Sequence, residues 1–111
     1  MARVVAEYGA VVPALFRCEM QSAFVGAVKR KRLSMARVRA HLCDLDALGL
    51  QVDTATLGSS FETGMDLVEH FGLTPYDAAY LDLAGRRGLP LMTRDVKLAK
   101  AAKERGLLWK P

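Results

Sequence analysis

The chain is predicted to fold as a three-layer α/β/α sandwich around a mostly parallel central sheet. Three observations predict it. Helical and strand patterns alternate along the 111 residues with short turns between them, the order that builds a parallel sheet covered by helices. The run GLTPYDAAYLDLAGRRGLPLMTRDVKLAKAAKERG, residues 72–106, is a punctuated helix, strand, helix unit with an acid at each turn. Apolar residues make up 51% and charged residues 25%, a globular balance that allows one small domain with one core.

Taken in order, MARVVAEY reads as the tail of a helix stopped by Gly9, with Val4 and Val5 toward the core. Residues 10–12 form a brief β-branched strand closed by Pro13, and a helix begins near Ala14. That helix sets Phe16, Met20, Ala23, Phe24 and Ala27 on one face and ends in the basic run 29–32. Ser34 starts the next helix, whose Met35, Val38, Leu42, Leu45 and Leu48 form an apolar stripe ending at Gly49. His41 beside that stripe reads as an ordinary helix-face histidine. Residues 50–54 alternate as a strand, after which Ser59 and Glu62 have capping-box spacing. The helix they predict turns Phe61, Met65, Val68 and Phe71 inward and stops at Gly72, with His70 suited to its C-terminal dipole.

The strongest unit follows. Thr74 is a ready N-cap, Pro75 suits the first helical position, and Asp77 falls at the third. Tyr76, Tyr80, Leu83 and Ala84 recur at helical spacing, residues 85–88 end the pattern, and residues 89–93 read as a short strand. Asp95 can cap the next helix, which turns Leu98, Ala99 and Ala102 inward and Lys97, Lys100 and Lys103 outward before Gly106. Residues 107–109 complete a set of four strands, with Trp109 as partial core or interface.

Charge is segregated. Residues 1–39 carry eight Lys or Arg against two acids, residues 40–85 carry eight acids and no Lys or Arg, and residues 86–111 repeat the first balance. Such a partition suits basic surface holding a polyanion while an acidic site does chemistry, although solvated helix faces produce it too. No apolar run approaches the ~20 residues needed to cross a bilayer. Cys18 and Cys43 lack metal-ligand spacing and no secretory signal is evident. Reduced thiols in a soluble, cytoplasmic protein are expected.

Three carboxylates are the candidate chemistry. The helix from Thr74 climbs and the following strand returns, so Asp77 and Asp95 are expected at one edge of the sheet, outside the carboxyl ends of its strands, where ligands of open α/β sheets bind. Glu19, early in the helix after the first strand, is expected at the same edge. Its neighbours Leu15, Phe16, Ser22 and Ala23 are mostly apolar, and an unpaired carboxylate there would require a cation, either a metal ion or a salt bridge from elsewhere. Taken singly, Asp77 and Asp95 are explained by helix capping. Taken together, hard oxygen ligands without a His and Cys or Ser arrangement suit Mg²⁺ or Mn²⁺, ions that assist phosphodiester hydrolysis.

TPYDAAYLDLAGRRGLPLMTRD followed by LAKAAKERG resembles the C-terminal half of PIN-domain ribonucleases of the VapC toxin type, and VVPALFRCEMQSAF is similar to the family's strand and acidic helix start. The resemblance implies that Glu19, Asp77 and Asp95 are three members of a metal-binding acidic quartet. It also implies a PIN-like sandwich, Mg²⁺- or Mn²⁺-dependent endoribonuclease activity on RNA, inhibition by a cognate antitoxin, and a homodimer. PIN domains open with a central strand ending in Asp, whereas this chain starts inside the helix that precedes residues 10–12, and Ser22 stands where the family often has Asn. An N-terminally truncated PIN domain is therefore expected, its first strand and first acid upstream, and the chain as written should be a poor nuclease. A catalytically inactive PIN-like partner-binding module is the alternative. A phosphoacceptor receiver domain would need an acid pair after its first strand and a Lys after a later one, and neither is present.

Overall fold

The computed structural model describes residues 2–55 and 60–111, and the chain divides into two compact units, Met1–Asp53 and Thr54–Pro111. The first unit is a parallel strand pair joined through two helices. Helix α1 (Ala2–Tyr8) ends at Gly9, β1 is Val11–Pro13, α2 is Leu15–Lys29, α3 is Met35–Ala47 and β2 is Gln51–Asp53. Strands β1 and β2 pair in parallel with Val11 opposite Gln51, Val12 opposite Val52 and Pro13 opposite Asp53. Parallel strands need a long crossover, and the α2–α3 hairpin supplies it. Ser34 Oγ accepts from the Arg37 N–H at 3.2 Å, so the predicted cap sets where α3 begins.

Burial in this unit is shallow. Pro13, Val38 and Asp53 are buried, whereas α2 buries no residue completely. Of its predicted stripe, Phe16, Met20, Phe24 and Ala27 are half-buried and Ala23 is exposed. Met35, the first residue of α3, is exposed as well, while Val38 one turn later is buried. His41 stacks on Phe24, with ring centroids 5.6 Å apart and planes inclined by 9°. That contact links α2 and α3 and gives the histidine beside the apolar stripe an aromatic partner.

The second unit packs α4 (Met65–Phe71), α5 (Pro75–Arg87) and α6 (Val96–Glu104) around one cluster. Leu73, Leu81, Ala84, Leu91, Leu98, Ala101 and Ala102 are buried there, with Leu67, Phe71, Tyr80, Leu107 and Leu108 packed against them. The alanines let α5 and α6 approach the cluster closely, and Leu81 is its largest fully buried side chain. Gly88 takes φ +63° after the last turn of α5, a left-handed cap that a side chain would strain.

Two predicted strands contract to a single contact. Instead of ladders at 89–93 and 107–109, Leu91 and Leu108 form one parallel bridge. The Leu89 N–H is spent closing α5, donating to the Ala84 carbonyl at 3.0 Å, and Pro90 has no N–H to give. Leu91 is thus the first residue free to pair, donating to Leu107 at 2.6 Å and accepting from Trp109 at 2.8 Å. The structure is mixed α/β with a two-stranded parallel sheet; a four-stranded sheet is not formed among the described residues.

The start of α4 also differs. Ser59 lies outside the described residues, and the helix begins at Met65. Residues 61–64 form separate turns, with Thr63 donating to Ser60 at 3.1 Å and Met65 to Glu62 at 3.0 Å. Gly64 at φ +82° then interrupts the helical path. Phe61, predicted to face inward, is 105% exposed because the helix that would have oriented it has not yet started, and Met65 at its first position is also exposed.

Candidate functional site

Asp77 and Asp95 stand at the starts of two helices of the second unit, Asp77 as the third residue of α5 and Asp95 as the N-cap of α6. Thr74 Oγ1 accepts from the Asp77 N–H at 3.1 Å, which starts α5 with Pro75 and sets Asp77, half-buried, in its first turn. Asp95 is exposed and is itself a cap: one carboxylate oxygen accepts from the Leu98 N–H at 2.8 Å, and the Asp95 N–H donates to Thr93 Oγ1 at 3.1 Å. Each carboxylate therefore lies at the positive end of a helix dipole, where negative charge is favoured.

The 13 residues of α5 climb ~20 Å at roughly 1.5 Å each. Residues 88–95 then connect α5 to α6 and carry the Leu91 bridge. Leu73 just before α5 and Leu98 in the first turn of α6 enter the same buried cluster, as do Ala84 late in α5 and Ala101 and Ala102 late in α6. Of the residues that recur at helical spacing, Tyr76 is 61% exposed at the beginning of α5 and Tyr80 is half-buried, while Leu83 and Ala84 are buried together with Ala78, Ala79 and Leu81.

Glu19 belongs to α2 in the first unit and is exposed. Its predicted apolar setting is not formed, since Ser22 and Ala23 are exposed too and Leu15 and Phe16 are half-buried. A carboxylate in contact with water does not by itself demand a cation. Among the described residues no group of three or more His, Cys, Asp or Glu is placed to hold a metal ion. Asp77 and Asp95 fit such an ion by chemistry, because Mg²⁺ takes hard oxygen ligands and is commonly held by only one or two carboxylates, with water and phosphate completing its shell.

The surface around α6 is basic. Arg94, Lys97, Lys100 and Lys103 are all exposed, as are Lys29, Arg30, Lys31, Arg32, Arg37 and Arg39 in the first unit. Arg86 is drawn aside by Asp82, 2.7 Å away one helical turn earlier. Two clefts lie elsewhere, one lined by Asp66, His70, Phe71 and Glu104 and the other, in the first unit, by Phe16, Met20, Leu42 and Leu45.

Asp53 is what sequence reasoning missed. It is 4% exposed at the carboxyl end of β2 and is the buried charged residue among those described. Its place at the end of a parallel strand was the available signal, but strand alternation alone pairs it with Gln51, which is exposed. Cys18 and Cys43 are exposed free thiols. Among the described residues no helix is long and apolar enough to cross a membrane. No family model, curated protein or solved structure matches this chain.

Proposed function

We propose that the protein is a metal-dependent endoribonuclease of the PIN type, built as a three-layer α/β/α sandwich and neutralised by a cognate antitoxin. One observation supports this reading above the others: two aspartates lie at the starts of two helices that share one buried cluster, beside an exposed basic helix face. Asp77 and Asp95 would hold Mg²⁺ or Mn²⁺, and Glu19 is the third candidate carboxylate. Once bound, the ion would supply an activated water and stabilise the leaving oxygen of a phosphodiester. The chain's own contribution would be to place the two acids at capped helix starts and to retain phosphates on Arg94, Lys97, Lys100 and Lys103.

Calorimetric titration with Mn²⁺ tests the site without relying on turnover. Wild-type protein should bind the ion, and Asp77→Asn with Asp95→Asn should abolish binding. Unchanged affinity in the double variant rejects the assignment. Parallel titration of Glu19→Gln decides whether that residue belongs with them.

A second reading, a catalytically inactive module that binds a protein partner or a second copy of itself, is favoured by the first unit. There the apolar stripe of α2 remains half-buried and lines an open groove with Leu42 and Leu45. Absence of both Mn²⁺ binding and RNA binding, with retained association to an antitoxin or dimerisation, would select it.

A further inference from the structure

Six cations crowd the hairpin formed by α2 and α3. Residues 20–43 contain Lys29, Arg30, Lys31, Arg32, Arg37 and Arg39 and no Asp or Glu, and all six cations are exposed. Like charges so placed repel one another and oppose folding of the segment that carries them. The backbone adds a second cost at the same place. The Lys31 N–H donates to the Val28 carbonyl and the Arg32 N–H to the Ala27 carbonyl, both at 2.9 Å, which closes α2 with Lys31 in the left-handed position at φ +59°. After α1, α3, α4, α5 and α6 that position is filled by Gly9, Gly49, Gly72, Gly88 and Gly106. Lys31 is the one non-glycine residue at positive φ among the described residues, and a side chain there strains the backbone where glycine does not. A cation is therefore kept where charge repulsion and backbone conformation both favour its removal, and an anionic partner supplies the compensating attraction.

Apolar side chains lie among these cations. Val25 and Met35 are 39% and 45% exposed. Val25 stands one helical turn before Lys29 in α2 and Met35 one turn before Arg39 in α3, so each shares a helix face with positive charge. Residues 25–39 include no aromatic ring to stack on a base and no Asn or Gln to read a base edge. Cations for negative headgroups, with short apolar side chains for the layer beneath them, match the surface of an anionic bilayer.

We infer that the tip of the α2–α3 hairpin docks on an anionic lipid surface, with its cations set against the headgroups and Val25 and Met35 entering the interface. The inference is independent of the ribonuclease reading, because it uses neither the two aspartates nor the lysines of α6. Surface docking of this kind needs no membrane-spanning helix. Each Lys or Arg brought to such a surface contributes about fivefold in affinity.

The test is flotation of the protein with phosphatidylcholine vesicles, with and without phosphatidylglycerol, at fixed ionic strength, beside fluorescence anisotropy with a labelled duplex RNA. Wild-type protein should float with the phosphatidylglycerol vesicles and not with phosphatidylcholine alone. Lys31→Gly should weaken that binding about fivefold while raising the unfolding midpoint, because glycine relieves the left-handed strain; a purely structural role for Lys31 would not move the two in opposite directions. Lys29→Gln with Arg32→Gln should weaken vesicle binding about 25-fold. Met35→Gln should weaken it about three- to tenfold, since less apolar surface then leaves water, and should leave duplex binding unchanged. No binding to phosphatidylglycerol vesicles overturns the inference, as does vesicle binding that Lys29→Gln with Arg32→Gln leaves at wild-type strength. Duplex RNA held by these same residues while vesicles are ignored also overturns it and assigns the hairpin to nucleic acid.

Discussion

Asp95 can be made to reveal whether it is only a helix cap or also a ligand, because two substitutions separate those roles. Its carboxylate accepts from the Leu98 N–H at 2.8 Å and starts the nine-residue helix α6. Asparagine caps as well as aspartate, so Asp95→Asn keeps an acceptor oxygen in place and removes only the charge at the dipole's positive end. That loss should cost about 0.3–1 kcal/mol. Asp95→Ala removes the acceptor too, adding about 1 kcal/mol. With roughly 4 °C of midpoint per kcal/mol for a chain near this size, the Asn variant should melt about 1–4 °C below wild type and the Ala variant about 4 °C lower again. Circular dichroism melts measure both, and Mn²⁺ calorimetry on the same samples measures the site. If the carboxylate is a ligand, the Asn variant loses Mn²⁺ affinity as severely as the Ala variant despite its smaller loss of stability. If affinity instead follows stability across the series, or Asn binds Mn²⁺ like wild type, Asp95 is a cap and nothing more.

Leu81, 1% exposed in the cluster of the second unit, should cost about 2–5 kcal/mol when replaced by Ala, read from urea unfolding, because the surrounding helices cannot fully close the cavity. Asp82→Asn should cost no more than about 0.5 kcal/mol, since its 2.7 Å pair with Arg86 lies on the surface and within one helix; a larger loss would show that Asp82 supports something beyond that pair. Association with single-stranded RNA should weaken as salt rises. Replacing Lys97 and Lys100 with Ala should lower the logarithmic salt slope by about 0.7 for each phosphate no longer neutralised, without changing base preference. Asp53→Ala should destabilise the first unit by about 1–3 kcal/mol, measured in the same unfolding assay, because the polar interaction of the buried carboxylate at the end of β2 is lost and its partner is left unsatisfied.

What could be read directly from the residues was local. Ser34, Thr74 and Asp95 cap the helices predicted for them, and Gly9, Gly49, Gly72, Gly88 and Gly106 stop the chain in left-handed turns where helices were predicted to end. These signals work at short range because donor and acceptor lie within four residues of each other, so no distant segment is needed to complete the bond. Parallel pairing of the first two strands was also legible, since the intervening helical patterns leave room for a crossover.

Burial was decided by the tertiary structure. Periodicity tells which residues share a face, but not whether another segment covers that face. Hence Tyr76, Met35 and Phe61 stand exposed at helix starts or just before one, Glu19 lacks the apolar surroundings its neighbours suggested, and Asp53 is buried at a strand end. The strand predicted at 89–93 failed for a related reason. Its first residue is recruited by the carbonyl of Ala84 and its second has no N–H, so pairing begins and ends at Leu91. A helix cap is completed by its own chain within one turn, whereas a strand or a buried face exists only when a distant segment arrives with matching donors or enough apolar surface to cover it.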